Sequence, residues 1–437
     1  MKTTHQNTGF AAGARIVKTF GEIFQDGSVL ELVAPAAGEQ PDLLLWDGTK
    51  ISISREIQHL GQVYTAEKLH GSILRATRLA RDPVGYGKIR LLFTELVNTF
   101  EKFLAFSRSE AERATFWVFT TWFCDCLSSP PILWISGADV GRAAAFFALL
   151  HCLSRRPLRV AGITRSGFLS LPSSFRTTLL ANQPSLSAGI QSLWRESNFR
   201  GFCVPGSRGN LLDVTSSKAI FLGMAGAVSS PSAEHLHLAL FPADREVPPL
   251  DEQALNKIAE YFLPRLLQYR LEQAHNVRKS QFAPADLKFP ICELARKLGA
   301  CVQGDMELAL TVIPLLIPQD DTIGPCNLDC AIIQVLWPRL HSSLPNTLAT
   351  QMKIEAELTA EVNTFMLSCG DNLQYSREEV GIRVVHLALT RKRTNGGTIL
   401  LLGSETNRRV HQLARSYGIG KNVLGCPHCQ PAQTPAE

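Results

Sequence analysis

No run of roughly eighteen uncharged apolar residues occurs in this 437-residue chain, so no segment reads as a membrane-spanning helix. The opening Met1-Lys2-Thr3-Thr4-His5-Gln6-Asn7-Thr8 lacks the apolar stretch of a secretory signal. Charge is sparse, at 19% of residues with a formal net charge of +5, while 45% are hydrophobic. That balance excludes global disorder and allows large cores. The eleven cysteines are odd in number, and Cys124, Cys126, Cys152 and Cys301 sit inside apolar runs. This argues against a disulfide framework and for reduced, buried thiols in a cytoplasm. At this length roughly two to four domains are expected.

Other absences fall in two motifs. Ile132 to Ile135 reads as a short buried strand, Ser136 to Ala143 as a glycine-bearing turn, and Ala144 to Leu153 as a helix. Strand, glycine turn and helix are the layout of a phosphate-binding loop. Such a loop expects G-x-x-x-x-G-K-[ST]. Here only three residues separate Gly137 from Gly141, Arg142 stands at the lysine position, and Ala143 replaces the magnesium-ligating hydroxyl. A planar guanidinium is a poor substitute for an ammonium in a tight cradle. Downstream, Thr177 to Gln183 reads as a second buried strand ending in Asn182-Gln183. In helicase and AAA+ ATPases that strand ends in Asp-Glu, one acid holding magnesium and the other activating water. Asn and Gln keep the shape without the charge, so they neither neutralise a metal nor accept a proton from water. Arg142, Ala143, Asn182 and Gln183 are therefore degenerate positions. No catalytic residue is assigned, and hydrolysis is expected to be lost. A chance match of the glycine spacing is the competing reading.

The rest of the chain divides into blocks. Residues 1–65 are a β-rich region after a frayed lead-in, with short alternating runs at Val29 to Val33, Leu43 to Trp46, Ile51 to Ser54 and Gln62 to Tyr64 that suggest a small antiparallel sheet. Residues 66–128 turn helical, and the aromatic cluster Phe116 to Phe123 is read as core in preference to a base-stacking platform. Residues 129–280 form the P-loop-like block, a parallel sheet with a helical lid containing Pro264. A hairpin tip there carries Arg208, read as a solvated loop arginine with a nucleic-acid contact as the alternative. Arg245, after the last strand, stands where oligomeric ATPases place a finger toward a neighbour's phosphate; a surface ion pair with Asp244 is the other reading. Residues 281–326 are a helical linker punctuated by Pro314, Pro318 and Pro325.

Residues 327–420 carry a different pattern. Helices are expected over Asn327 to Trp337 and Glu355 to Leu367, and the capping box Ser376-Arg377-Glu378-Glu379 opens a third. That third helix has Val380, Val384-Val385 and Leu387 on its apolar side, with Arg377, Arg383 and His386 outward. Arg391-Lys392-Arg393-Thr394, the turn Asn395-Gly396, and Thr398 to Leu402 make a hairpin. Three helices closed by a hairpin are a winged helix, whose third helix enters the major groove while the hairpin follows the backbone. A final helix carries Arg408-Arg409. From Ser376 to Lys421 nine Lys/Arg stand against three acids, a local excess of six in a chain whose total is five. The basic excess is thus confined to this module, which argues for phosphate contacts. In residues 421–437, Cys426-Pro427-His428-Cys429 supplies half of a tetrahedral zinc site, with Cys326 and Cys330 as conceivable completers. A redox pair and free surface thiols are the other readings.

The order of parts resembles helicase-like proteins of phages and mobile elements, in which a P-loop ATPase domain joins a winged helix. The resemblance rests on Gly137, Gly141, Arg142, Ala143, Asn182, Gln183 and Arg245 together with the C-terminal module. It implies an α/β multi-domain fold, double-stranded DNA as partner, and a homo-oligomer or partner ATPase. No cofactor is expected, although ATP binding without hydrolysis, through Gly137, Gly141, Arg142 and Arg245, stays open, as does zinc. The expected function is a DNA-binding replication or regulatory factor on an inactive ATPase scaffold. Two rivals are an active ATPase or helicase, with Asp139 or Asp213 holding metal, and a protein-interaction adaptor without DNA.

Overall fold

The computed structural model describes residues 15–36, 40–137, 139–182, 190, 193–194, 201, 203–205, 211–221, 235–240, 246–284, 287, 291–321, 328–341, 351–368, 374–394, 397–416, 426 and 428–429. These fall into two compact units, one ending at Leu316 and the other beginning at Ile317.

The first unit begins with β1 (Ile16–Thr19), β2 (Gly21–Ile23), β3 (Val29–Val33), β4 (Asp42–Trp46), β5 (Ile51–Ser54), β6 (Glu56–His59) and β7 (Gln62–Ala66). They form two sheets. One is antiparallel, ordered β2-β3-β4-β5, and the other is ordered β1-β7-β6 with β1 parallel to β7. The lead-in expected to fray therefore supplies two strands. The parallel pairing of Ile16 with Val63 joins chain segments too far apart for local alternation to reveal.

Three helices follow, α1 (Gly71–Ala76), α2 (Ile89–Leu104) and α3 (Arg108–Trp122). Helix α2 buries Ile89, Leu92, Phe93, Leu96, Val97, Phe100 and Leu104, one stripe at three- and four-residue steps. Helix α3 starts at a capping box, with the Ser107 side chain accepting from the Glu110 N–H and the Glu110 carboxylate accepting from the Ser107 N–H. Its aromatic segment is core: Phe116, Trp117 and Phe119 are at most 1% exposed. The indoles are satisfied, Trp117 donating to Pro131 O at 3.0 Å and Trp122 to Leu153 O at 2.9 Å.

The central layer comprises β8 (Ile132–Gly137), α4 (Val140–Leu153), β9 (Pro157–Val160), α5 (Arg165–Ser170), β10 (Thr178–Asn182), β11 (Cys203–Pro205), β12 (Leu211–Asp213), β13 (Lys218–Phe221) and β14 (Leu236–Leu240). Five of these strands make one parallel sheet ordered β14-β8-β13-β10-β9, while β11 and β12 pair as a separate antiparallel hairpin. Alternation along β8 sends Leu133 and Ile135 into one core and Ile132 and Trp134 into another. A strand covered on both faces reads as a continuous apolar run, as this one does. Helix α6 (Glu252–Arg278) runs through Pro264, whose carbonyl accepts from Val84 N–H at 3.1 Å. Then come α7 (Ile291–Ala300), α8 (Met306–Leu310) and α9 (Val312–Asp321). Pro314 and Pro318 lie inside the last of these helices. Pro314 falls in its first turn, where a backbone N–H has no helical partner to lose.

The second unit holds α10 (Leu328–His341), β15 (Gln351–Lys353), a π-helical turn at Ile354–Leu358, α11 (Thr359–Ser368), α12 (Arg377–His386), β16 (Arg391–Thr394), β17 (Gly397–Leu401) and α13 (Ser404–Ser416). Its sheet is ordered β15-β17-β16, all antiparallel. Leu328, Ile332, Leu336, Val362, Val380, Val384, Leu400 and Val410 are fully buried in one core of their own. Among the described residues, no helix is long and apolar enough to cross a membrane.

Candidate functional site

The strand order puts the end of β8 and the end of β10 on the same carboxyl edge of the sheet, with β13 between them. Asn182 pairs with Phe221, which pairs with Ile135, so Asn182 is level with a residue two before Gly137. Two strand spacings, about 10 Å, separate the two strand axes. This is the edge where open α/β sheets bind ligands. The ends of β8 and β10, which carry Gly137 and Asn182, thus lie on one edge of the sheet with a single strand between them. Gln183 and Arg245 lie outside the described residues, as do Arg208 and Asp244.

The described residues on either side of Ala138 are engaged within the chain itself. Strand β8 ends at Gly137 and α4 begins at Val140, so only Ala138 and Asp139 connect them. Gly137 has φ +127°, and a Cβ there would lie 2.0 Å from Leu240 O: the end of β14 fills that space. Asp139 is the N-cap of α4, its Oδ1 accepting from Arg142 N–H at 2.8 Å. A helix N-terminus binds anions through such free N–H groups, and here a carboxylate of the chain itself takes one. Gly141 is an exposed helical residue of the first turn, and Ala143 is buried.

Arg142 points elsewhere than expected. Its Nε donates to Leu104 O at 2.6 Å, another guanidinium nitrogen donates to Ala105 O at 2.7 Å, and the group lies 5.0 Å over the Phe106 ring. It caps the carbonyl end of α2, where the helix dipole favours a cation. Arg142→Ala should cost about 1–2 kcal/mol of stability for two charge-assisted hydrogen bonds, read by urea unfolding, and leave any nucleotide response unchanged. The substitute metal ligands are also engaged locally. Asp139 caps α4, and Asp213 accepts from Thr215 N–H at 3.0 Å and Thr215 Oγ1 at 2.6 Å.

Two bases, one half-buried and one buried, carry no signal in the sequence. His237 on β14 meets Ser136 Oγ at 2.9 Å through Nε2, and burial, then Arg113, push it down to about 4, so it is neutral at pH 7. Lys218 is fully buried and donates to Ser216 O at 3.0 Å. It starts β13, at the sheet edge opposite the glycine turn. Neither lies in a motif, and only the sheet register locates them.

In the second unit the basic residues separate into two groups. Arg391, Lys392, Arg393 and Thr394 are all exposed along β16, and Arg377 and Arg408 are exposed as well. Arg383, expected outward on α12, instead turns in, its Nε 3.0 Å from Asp329 Oδ1 on α10. Arg409 is half-buried and donates to Leu387 O at 3.0 Å and to Gln412 Oε1 at 2.9 Å. The side chain of His386 lies outside the described residues. The outer face of α12 shows Ile382 and Val385, 49% and 43% exposed, so Val385 is not part of the apolar side. Cys330 is buried within α10 and is not one of the four residues grouped around Cys426 and Cys429, and Cys326 lies outside the described residues. Cys426 and Cys429 lie beside His341 and His411, with Cys429 buried and Cys426 half-buried.

No protein-family model and no curated protein matches this chain. Among solved structures it is similar to the apo A form of the C-terminal region of NrS-1, with TM-score 0.32 and 9% identity over 85% of this chain and 96% of that one. It is similar to the active helicase Cch of SCCmec type IV, with TM-score 0.40 and 12% identity over 92% and 81%. It also matches a full-length MCM homolog from Methanopyrus kandleri, with TM-score 0.28 and 13% identity over 82% and 76%. Similarity at this level assigns neither a family nor an activity.

Proposed function

We propose that this is a double-stranded-DNA-binding protein in which the parallel-sheet unit is an ATPase-like scaffold without hydrolysis and the C-terminal unit is a winged helix that grips DNA. It would act as a replication or regulatory factor, with the scaffold serving as an assembly or docking body. The observation that carries the reading is the run Arg391-Lys392-Arg393, wholly exposed on the hairpin strand that follows α12. Three adjacent cations on a hairpin suit contacts along a phosphate backbone. The exposed Ile382 and Val385 on α12 suit apolar contact with thymine methyls in the major groove. The inactive scaffold is supported by Asp139, which places a negative charge where a phosphate would sit.

Replacing Arg391, Lys392 and Arg393 together by alanine should weaken duplex binding at least tenfold at low salt. It should also lower the slope of log affinity against log salt by about 2–3, because each lost phosphate contact removes roughly 0.9. Fluorescence anisotropy across a salt series reads both. Unchanged affinity with an unchanged slope would remove the hairpin from the DNA interface.

A further inference from the structure

The C-terminal Cys-x-x-Cys has its missing half on two helices distant in sequence. We propose that His341, His411, Cys426 and Cys429 form a structural zinc site that ties the Cys-x-x-Cys thiols to α10 and α13. The four ligand atoms all lie within 4.8 Å of one another. His341 Nε2 is 3.2 Å from Cys429 Sγ, His411 Nε2 is 3.3 Å from Cys426 Sγ, and the two Nε2 atoms are 3.0 Å apart. Tetrahedral zinc with ordinary Zn–N and Zn–S bonds needs edges of roughly 3.3–3.8 Å; these three edges fall at the short end of that range or a few tenths of an ångström below it, and the remaining ones stay within 4.8 Å.

The hydrogen bonds behind the two rings support the same geometry. His341 Nδ1 is 2.8 Å from Trp337 O, and His411 Nδ1 is 2.7 Å from Asn407 O, each one helical turn back. A carbonyl only accepts, so both Nδ1 atoms carry a proton, and Nε2 is the ring atom each histidine turns toward the two thiols. The two Nε2 atoms face each other at 3.0 Å and each also faces a cysteine sulfur, so the four donor atoms converge on one point. A shared proton would serve the two rings but give the two sulfurs no common centre. A divalent ion with thiolate affinity serves all four atoms, and the carbonyls act as the outer partners that metal-bound histidines ordinarily have. Four protein ligands close the coordination sphere, which marks a structural and not a catalytic site. Trp337 shields it, its ring 4.4 Å from that of His341 and 4.9 Å from that of His411.

The test uses the full-length chain, free of added histidines, purified under reducing conditions without chelator. Elemental analysis should find about one zinc per chain. Cobalt(II) added to the stripped, reduced protein should give the visible bands of a tetrahedral site with thiolate charge transfer. Cys429→Ser and His411→Asn should each cut bound zinc at least tenfold and lower Tm, while Cys429→His keeps the metal. Chelator should lower the Tm of the unaltered chain and leave that of the two losing variants unchanged. Wild-type protein that takes up neither zinc nor tetrahedral cobalt overturns the proposal. So does full zinc retention in both losing variants, and so does a reversible Cys426–Cys429 disulfide without metal uptake. If the variants do not fold, the cobalt titration of the wild type decides alone.

Discussion

Glu31→Ala should lose roughly 3–5 kcal/mol of stability, enough to leave much of the chain unfolded at 37 °C, because it strands three buried guanidiniums. Glu31 lies on β3 and is 2% exposed. It accepts from Arg155 NH2 at 2.7 Å, from Arg270 Nε at 2.6 Å, and from Arg156. Asp125 shares the load, 2.6 Å from Arg270 and 3.4 Å from Arg155. The cluster ties the N-terminal sheet to the end of α3, the turn after α4, and α6. Burial pushes the Glu31 carboxyl up, but Arg155, Arg156 and Arg270 together pull it down further, to about 2 from its ordinary 4.5.

A carboxyl held low in the folded state binds fewer protons there than when unfolded. Its contribution is therefore complete above pH 4.5 and is lost as the pH falls toward 2. That drop is worth roughly 3 kcal/mol. Urea unfolding between pH 7 and pH 3 should show stability falling with acid in the wild type and a shallower fall in the variant. Three arginines face two acids, and burial followed by Arg155 brings Arg156 down to about 10. Arg156→Met should accordingly cost less than Arg270→Met. An equal loss in both would mean that the surplus charge is not strained.

Gly137→Ala should be close to intolerable, while Gly141→Ala should be neutral or slightly stabilising. At Gly137 the added Cβ would meet the backbone of Leu240, at 2.0 Å from its oxygen and 2.7 Å from its carbonyl carbon, and φ is +127°. Backbone cannot rotate away as a side chain can. The β8–β14 pairing must open, at a cost of about 4 kcal/mol or more once the left-handed strain is added. At Gly141 the nearest atom is Asp139 Oδ1 at 3.5 Å, an ordinary contact. Alanine there should add about 0.5–1 kcal/mol through helix propensity. A phosphate cradle would need both glycines. Thermal unfolding with and without magnesium-ATP completes the test. If the filled turn binds no nucleotide, Tm does not move with nucleotide in the wild type or in Gly141→Ala; a rise without turnover would be the case of ATP bound without hydrolysis. A nucleotide-dependent rise in the wild type that vanishes in Gly141→Ala would restore the cradle.

The chain's local patterns determined most element types. Continuous apolar runs marked the parallel strands, three- and four-residue steps marked α2, and the Ser376–Glu379 box marked the start of α12. These signals are short-range, set by backbone capping and by which face meets the core, so they survive without the fold. Where a side chain goes depends on what long-range packing brings against it. Arg142 met the end of α2, Arg383 met Asp329, and Gly137 met Leu240. His341 was hidden for a further reason: Pro338 suggests a helix end, yet α10 continues one turn past it. That extra turn brings an imidazole from residue 341 beside one from residue 411 and two thiols near the end of the chain. No spacing rule connects residues so far apart; only the closing of helices α10 and α13 around a shared core does.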